Sequence, residues 1–363
     1  MRARIADWRN RLLANPRFRA SAGRIWPFRL LARRRARQLF DISAGFVYSQ
    51  VLMSCIEVGW FDKLAAGPRS LASLAQDADL EVAAARRLAR AAASLELLEL
   101  RADAGVALGS LGAALVGDPG ITAMARHHEM LYADMAKPLA LLRGERDHTA
   151  LGEFWGYATS DAPDQLAAAR VAAYSRLMAA SQPMIAEQVL AAYDFSKHRH
   201  LLDVGGGTGA FVGAVRARYP DLEYTVFDLP GVVAGIDATS DAAPNVAPGS
   251  FRSDPLPRGA DLISLVRIVH DHDDDVVLGL LRRVREALPD HGTLVIAEPM
   301  AGIAGAEPIG DAYFGFYLLA MGSGRARTRD EIDGLLKQCG FGPSRWHATP
   351  IPMICSVIST CPI

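Results

Sequence analysis

Acidic residues are nearly absent from the first 40 positions of this 363-residue chain. Twelve arginines (2, 4, 9, 11, 17, 19, 24, 29, 33, 34, 35, 37) stand there against one acid, Asp7, giving a local charge of +11 in a chain whose net charge is −1. Cysteine is also scarce. Cys55, Cys339, Cys355 and Cys361 are scattered with no Cys-x-x-Cys pair, which argues against a zinc site or a disulfide framework and for a reducing cytoplasm. Long uncharged runs are missing. The longest, Trp346–Ile363, is broken by Pro350, Pro352 and Pro362 and alternates like terminal strands, so no transmembrane helix is read. No apolar core of a secretory signal follows the first arginines. Nor does any metal-ligand cluster appear, and a metal-independent chemistry is expected. What remains is half hydrophobic and 22% charged, a well-cored globular protein long enough for two domains.

The arginine arm also carries Trp8, Ile25, Trp26, Phe28, Leu30 and Leu31. Basic residues interleaved with aromatics suit the surface of an anionic membrane. Packing on the acidic remainder or on a partner subunit is the plainer use, and nucleic acid is the least favoured.

After the arm the periodicity is helical. Phe46, Val47, Val51, Leu52, Ile56 and Phe61 predict a helix over 41–66, ended by the Ala-Ala-Gly-Pro at 65–68. Ser70 is placed to cap a short helix over 71–78, and a helix over 80–98 carries an apolar stripe that includes Leu88, Ala92, Leu95 and Leu98. A hairpin over 99–108 turns at Asp-Ala-Gly, which completes a winged-helix-like module. Helices are expected within 111–150, over 165–178 and from Pro183 to Tyr193, where the proline suits a helix start. From position 200 strands and helices alternate. Strands are expected at 200–204, 223–227, about 248–252, 261–266 and 292–297, with a terminal pair near 343–349 and 352–359. Helices are expected at 209–218, 274–287 and 328–338. The pattern is an open α/β sheet with its ligand crevice at the carboxyl ends of the strands.

The most informative stretch is Leu201-Leu202-Asp203-Val204-Gly205-Gly206-Gly207-Thr208-Gly209-Ala210-Phe211. A buried strand runs into a glycine turn and then a helix, and the glycines admit a ligand that side chains would exclude. The next strand ends in Asp228, at the right distance to take ribose hydroxyls. A nucleoside-containing cofactor is therefore expected. Gly205, Gly207 and Ala210 also satisfy the nicotinamide dinucleotide fingerprint. The choice between a dinucleotide and S-adenosylmethionine (SAM) needs the rest of the chain.

Four motifs occur in order: Asp203 to Gly209, Phe227-Asp228-Leu229-Pro230, Val269-His270-Asp271 followed by Asp273-Asp274, and Ala297-Glu298-Pro299. On these, residues 41–363 resemble the plant-type small-molecule O-methyltransferases. Within that family the chain is most similar to the bacterial hydroxycarotenoid O-methyltransferases, which act on hydroxyneurosporene and demethylspheroidene. That likeness is carried by Asp41–Val51, Met130–Asp134, His270–Asp275 and Gly310–Tyr317. The resemblance implies a Rossmann-like SAM-methyltransferase sheet with helices on both faces, preceded by an α-helical winged-helix-like dimerisation domain. The organisation would be a basic arm (1–40), a dimerisation domain (41–110), a helical connector contributing to the substrate pocket (111–182) and a SAM-binding catalytic domain (183–363).

The resemblance implies that Gly205, Gly207, Gly209, Asp228, Asp254, Pro255 and Arg267 bind SAM, Arg267 standing at a family lysine. It implies His270 as the base, since a positioned imidazole can take an alcohol's proton as the methyl group transfers. Glu298 would hold the other ring nitrogen. A second family glutamate is replaced by Ala326, for which Asp311 or Glu307 would have to substitute. Tyr174, Met178, Tyr313, Phe316, Tyr317 and Met321 are expected to line a lipophilic substrate pocket. A homodimer in the cytoplasm, peripheral at the inner or intracytoplasmic membrane, completes the reading. The competing readings are a methyltransferase of bacteriochlorophyll precursors or aromatic polyketides, a SAM-binding winged-helix regulator and a nicotinamide dehydrogenase.

Overall fold

The computed structural model describes residues 2–22, 24–26, 28–102, 105–145, 148–156, 168–236 and 243–363, with side chains left out at 2–3 and 168–175. Two compact units divide the chain, residues 1–117 and 118–363.

In the first unit, helices Arg2–Ala14 and Pro16–Ala22 precede a 30-residue helix, Phe28–Glu57. That helix begins well before the expected 41 and stops short of 66, because Gly59 turns left-handed (φ 66°) before the next helix, Trp60–Ala65. The sequence reading sees no membrane span. In the structure the apolar stretch joins the end of the arm in one rod, long and apolar enough to cross a membrane by length and composition alone. Its last turns bury Met53, Cys55 and Ile56 in the core, while Leu39, Phe40, Ile42 and Phe46 stay exposed. Trp60 is fully buried and its indole N–H donates to the Leu74 carbonyl at 3.3 Å.

Ser70 caps helix Leu71–Asp77, accepting from the Ser73 N–H at 3.2 Å. Helix Val82–Ser94 buries Ala85, Ala89 and Ala92. It ends at Ser94, so Leu98 belongs to the following strand. Strands β1 (Arg69–Ser70), β2 (Leu98–Leu100) and β3 (Gly105–Leu108) form an antiparallel sheet ordered β1-β3-β2. Helices followed by a small hairpin give the winged-helix-like arrangement.

The second unit holds a seven-stranded sheet. In chain order its strands are β4 (His200–Val204), β5 (Glu223–Asp228), β6 (Asn245–Pro248), β7 (Leu262–Val266), β8 (Thr293–Glu298), β9 (Arg345–His347) and β10 (Ser356–Thr360). Their spatial order is β6-β5-β4-β7-β8-β10-β9, parallel from β6 to β8, with β10 antiparallel between β8 and β9. The order reverses between β4 and β7, which opens a crevice at their carboxyl ends. Helices Asp274–Ala287 and Arg329–Gln338 cover one face through Leu280, Leu281 and Leu336. Helix Ala210–Arg218 and the end of helix Ala168–Ala192 cover the other through Phe211, Val215 and Val189.

Two local expectations fail. The third strand lies at 245–248, because Ser250–Asp254 closes a turn: the Asp254 N–H reaches the Ser250 carbonyl at 2.7 Å and its carboxylate takes the Ser250 N–H at 2.8 Å. Pro183 does not start a helix but sits inside helix Ala168–Ala192. Having no N–H, it gives the Ala179 carbonyl no i+4 donor.

Candidate functional site

Strand β4 is buried along Leu201–Val204, and the chain leaves it through glycines at positive φ: 71° at Gly205, 61° at Gly207 and 81° at Gly209. Each glycine does something different. A methyl group on Gly205 would sit 2.4 Å from Ile268 Cδ1, and one on Gly206 would sit 2.6 Å from Asp203 Oδ2. At Gly207 a methyl would meet nothing within 4 Å, so the loop keeps free space on that side. Asp228 at the end of β5 accepts the Gly207 N–H at 2.8 Å and the Leu229 N–H at 2.7 Å. Burial pushes its pKa up to about 6, against the pull of those two bonds. Beneath the loop, Asp203 takes the Ser264 hydroxyl at 2.6 Å on one oxygen, while the other has no hydrogen-bond partner. Burial raises Asp203 to about 7.

Asp203, Gly205, Gly206, Gly207 and Asp228 border an open cleft, lined also by Met178, Gln182 and Arg267; Gly209 is outside its lining. Arg267 holds a left-handed backbone (φ 60°), and its guanidinium donates to Ser181 Oγ at 2.9 Å and Met178 Sδ at 3.0 Å. It thereby ties the end of β7 to helix Ala168–Ala192. The free space at Gly207, the ionisable Asp228 and the unpartnered Asp203 oxygen fit a polar ligand that carries positive charge. Asp254 and Pro255 are outside this lining, with Asp254 occupied in its turn.

Just past β7, a short turn, Val269–Asp271, carries His270. Glu298 at the end of β8 is buried and makes three bonds. One oxygen accepts the N–H groups of Ile268 (2.8 Å) and Val269 (2.6 Å), and the other meets His270 Nδ1. Asp271 Oδ1 lies 3.1 Å from His270 Nε2. Burial pushes the imidazole's pKa down, but Asp271 and Glu298 outweigh it and the pKa stands above the ordinary histidine value. The turn is clamped by Arg327, which is 2% exposed. Its guanidinium donates to the carbonyls of Val269 (2.6 Å) and His272 (2.8 Å) and to Asp274 (2.6 Å).

Sequence reasoning found His270 and Glu298 but gave neither Asp271 nor Arg327 a role in the site. Asp311 and Glu307, its proposed stand-ins for a second acid, accept the N–H groups of Gly302 and Gly305 at exposed positions. The acid on the second ring nitrogen is Asp271.

Above His270 lies an aromatic wall. A π turn, Pro308–Tyr313, feeds helix Phe314–Met321. Phe314, within the same segment as Tyr313 and Tyr317, stands edge-on to His270 with ring centroids 5.8 Å apart. The Tyr317 hydroxyl is buried between His127 Nε2 (2.7 Å) and the Trp155 indole N–H (2.8 Å), and the Tyr313 hydroxyl pairs with His128 Nε2 at 2.7 Å. Burial lowers His127 to about 4, keeping it neutral. Met321 is fully buried, Phe316 is half-buried, and the Tyr174 side chain lies outside the described residues. With both tyrosine hydroxyls paired internally, the wall offers mainly carbon.

Comparison with known proteins finds relatives along nearly the whole chain. Residues 140–342 match the O-methyltransferase domain and residues 40–117 the O-methyltransferase dimerisation domain. The demethylspheroidene O-methyltransferase of Cereibacter sphaeroides is 41% identical, covering 96% of this chain and 93% of its own. That of Rhodobacter capsulatus is 42% identical over 90% of this chain and 82% of its own. Among solved structures, the calicheamicin-biosynthesis methyltransferase CalO1 in its SAH-bound form superposes with a TM-score of 0.76 at 26% identity, covering 91% and 98% of the two chains. Human N-acetylserotonin methyltransferase in complex with SAM superposes with a TM-score of 0.77 at 24% identity, covering 90% and 97%, a likeness of fold.

Proposed function

Since the chain belongs to the O-methyltransferase family and is a SAM-dependent enzyme of it, we propose that its acceptor is the tertiary hydroxyl of a 1-hydroxycarotenoid. The observation that carries this reading is the 41% identity to a demethylspheroidene O-methyltransferase over nearly the whole of both chains. The carbon-faced wall around Phe314 and Tyr317 supports it, because a polyene asks for apolar contact and no counter-charge. A dimerisation domain equips the chain to work as a homodimer, peripheral to the cytoplasmic membrane in which such an acceptor dissolves.

On this reading Gly205, Gly207, Gly209 and Asp228 hold the cofactor, with Asp203 beneath them and Arg267 at the wall. SAM, when bound, supplies an electrophilic methyl group on a sulfonium. His270 Nε2 takes the acceptor's hydroxyl proton as the new C–O bond forms, and Glu298 keeps the other ring proton on Nδ1 and stabilises the imidazolium. An aliphatic alcohol is far less acidic than a phenol, so alignment beside the base carries more of the catalysis than a preformed oxyanion does. To receive the hydroxyl, Nε2 must exchange its contact with Asp271.

The test is product mass after incubation with SAM and 1-hydroxyneurosporene in detergent, beside His270→Ala. One added methyl group, absent with the variant, is expected. No methylation with SAM binding intact overturns the acceptor class, and tetrapyrroles and polyketide phenols follow as acceptors.

A further inference from the structure

Outside both matched family regions lies the arginine arm, residues 1–39. Helices Arg2–Ala14 and Pro16–Ala22 and the first turns of Phe28–Glu57 bury almost nothing. All eleven arginines from Arg4 to Arg37 are exposed, and Arg37 makes the one ion pair among the arm's described residues, 4.0 Å from Asp41. Large apolar side chains stand among them: Trp26 is 72% exposed and Trp8 63%, with Ile5, Ile25, Phe28, Leu30 and Leu31 also open. A solvated charged helix does not need two exposed tryptophans, and a core element does not need eleven solvated arginines.

We propose that this arm is a peripheral docking surface for an anionic lipid bilayer. The arginines meet the negative surface potential, and Trp8, Trp26 and Phe28 insert at headgroup depth. This is the two-signal combination that makes binding stable where either signal alone is weak. A nucleic-acid surface would use the charge and leave the aliphatic side chains unexplained. The match to the dimerisation domain begins at residue 40, so the arm lies outside the region that domain covers. The proposal rests on the carotenoid reading only for its purpose, which is to concentrate the enzyme where a lipophilic acceptor partitions. Its geometry stands without that reading.

The test uses the full chain and empty vesicles of phosphatidylcholine with or without phosphatidylglycerol, read by co-sedimentation. Binding to the anionic vesicles and not to the neutral ones is expected, and high salt should release it. Arg29, Arg33, Arg34 and Arg35 all changed to Gln should lower partition roughly a hundredfold or more. Trp8→Ala with Trp26→Ala should weaken it while SAM affinity and dimer mass stay unchanged. Equal binding to neutral vesicles, retention in high salt as for a spanning helix, or loss of the dimer in the arginine variant would each overturn the proposal. With no acceptor present, a failure of the carotenoid assignment leaves the vesicle result untouched.

Discussion

Replacing Glu298 by glutamine separates the two tasks of one carboxylate. Its first oxygen accepts the backbone N–H groups of Ile268 and Val269 at 2.8 and 2.6 Å, and an amide oxygen in the same place keeps both. Its second oxygen faces His270 Nδ1, where glutamine presents an N–H donor instead. Two donors cannot face each other, so Nδ1 becomes the acceptor and the ring proton moves to Nε2. The nitrogen that should take the substrate proton is then blocked. General-base catalysis is worth about 10²–10⁴ in rate, so kcat should fall by that factor, about 3–5 kcal/mol of barrier. SAM affinity and KM should change little, because the turn keeps its backbone bonds and its Arg327 clamp. The pH profile gives a second readout. In the wild type the carboxylates hold the imidazole above its ordinary pKa, so activity rises with pH as the raised histidine loses its proton. With one carboxylate neutralised, the inflection of the residual activity should move to lower pH. Steady-state kinetics across pH, beside titration calorimetry for SAM, checks all of this. A Glu298→Gln enzyme within threefold of wild-type kcat would refute the assignment of the base.

Asp228→Asn should weaken SAM binding at least tenfold, since one side-chain oxygen must then serve both the loop N–H groups and the ribose. In the wild type, Asp228 is raised by burial to about 6 and is ionised above that pH. Calorimetry should therefore show SAM affinity intact above pH 6 and falling as pH drops below it; an affinity flat from pH 8 to 5 would count against Asp228. The glycines should separate as well. Gly205→Ala should lower the melting temperature of the free enzyme the more, because it adds a clash with Ile268 to the cost of a left-handed alanine, whereas Gly207→Ala should carry that backbone cost alone, about 1–2 kcal/mol, and abolish SAM binding; a larger loss of stability at Gly207 with binding intact would misplace the cofactor. Arg327→Met strands two buried carbonyls and should cost about 3 kcal/mol or more, read by thermal unfolding.

Much of the site was legible because its signals are local. The run from Leu201 to Phe211 encodes strand, turn and helix in eleven consecutive residues, and Asp228 and Glu298 close apolar strands whose ends must reach the crevice. What escaped depends on contacts distant in sequence. Arg327 reads as a surface charge until folding carries it under the 269–274 turn. Asp271 reads as one acid among four (271, 273, 274 and 275) until the turn points it at Nε2. Pro183 has the chemistry of a helix start, yet tertiary packing on both sides of it holds one continuous helix. The third strand was displaced because Ser250 and Asp254 bond to each other, which no alternation of hydrophobicity reveals.

The contact between Asp271 and His270 Nε2 bears on economy of reagent. Water is always more abundant than a carotenoid, and a free imidazole beside an activated methyl donor would turn water into its victim. With both ring nitrogens already engaged by carboxylates, a stray water finds no vacant base. On the proposed mechanism, the acceptor is the molecule that displaces Asp271. Idle consumption of the donor should then remain near background until acceptor is added, and Asp271→Ala should raise it. Under the proposed mechanism, Asp271 is a safety catch on His270, released by the acceptor.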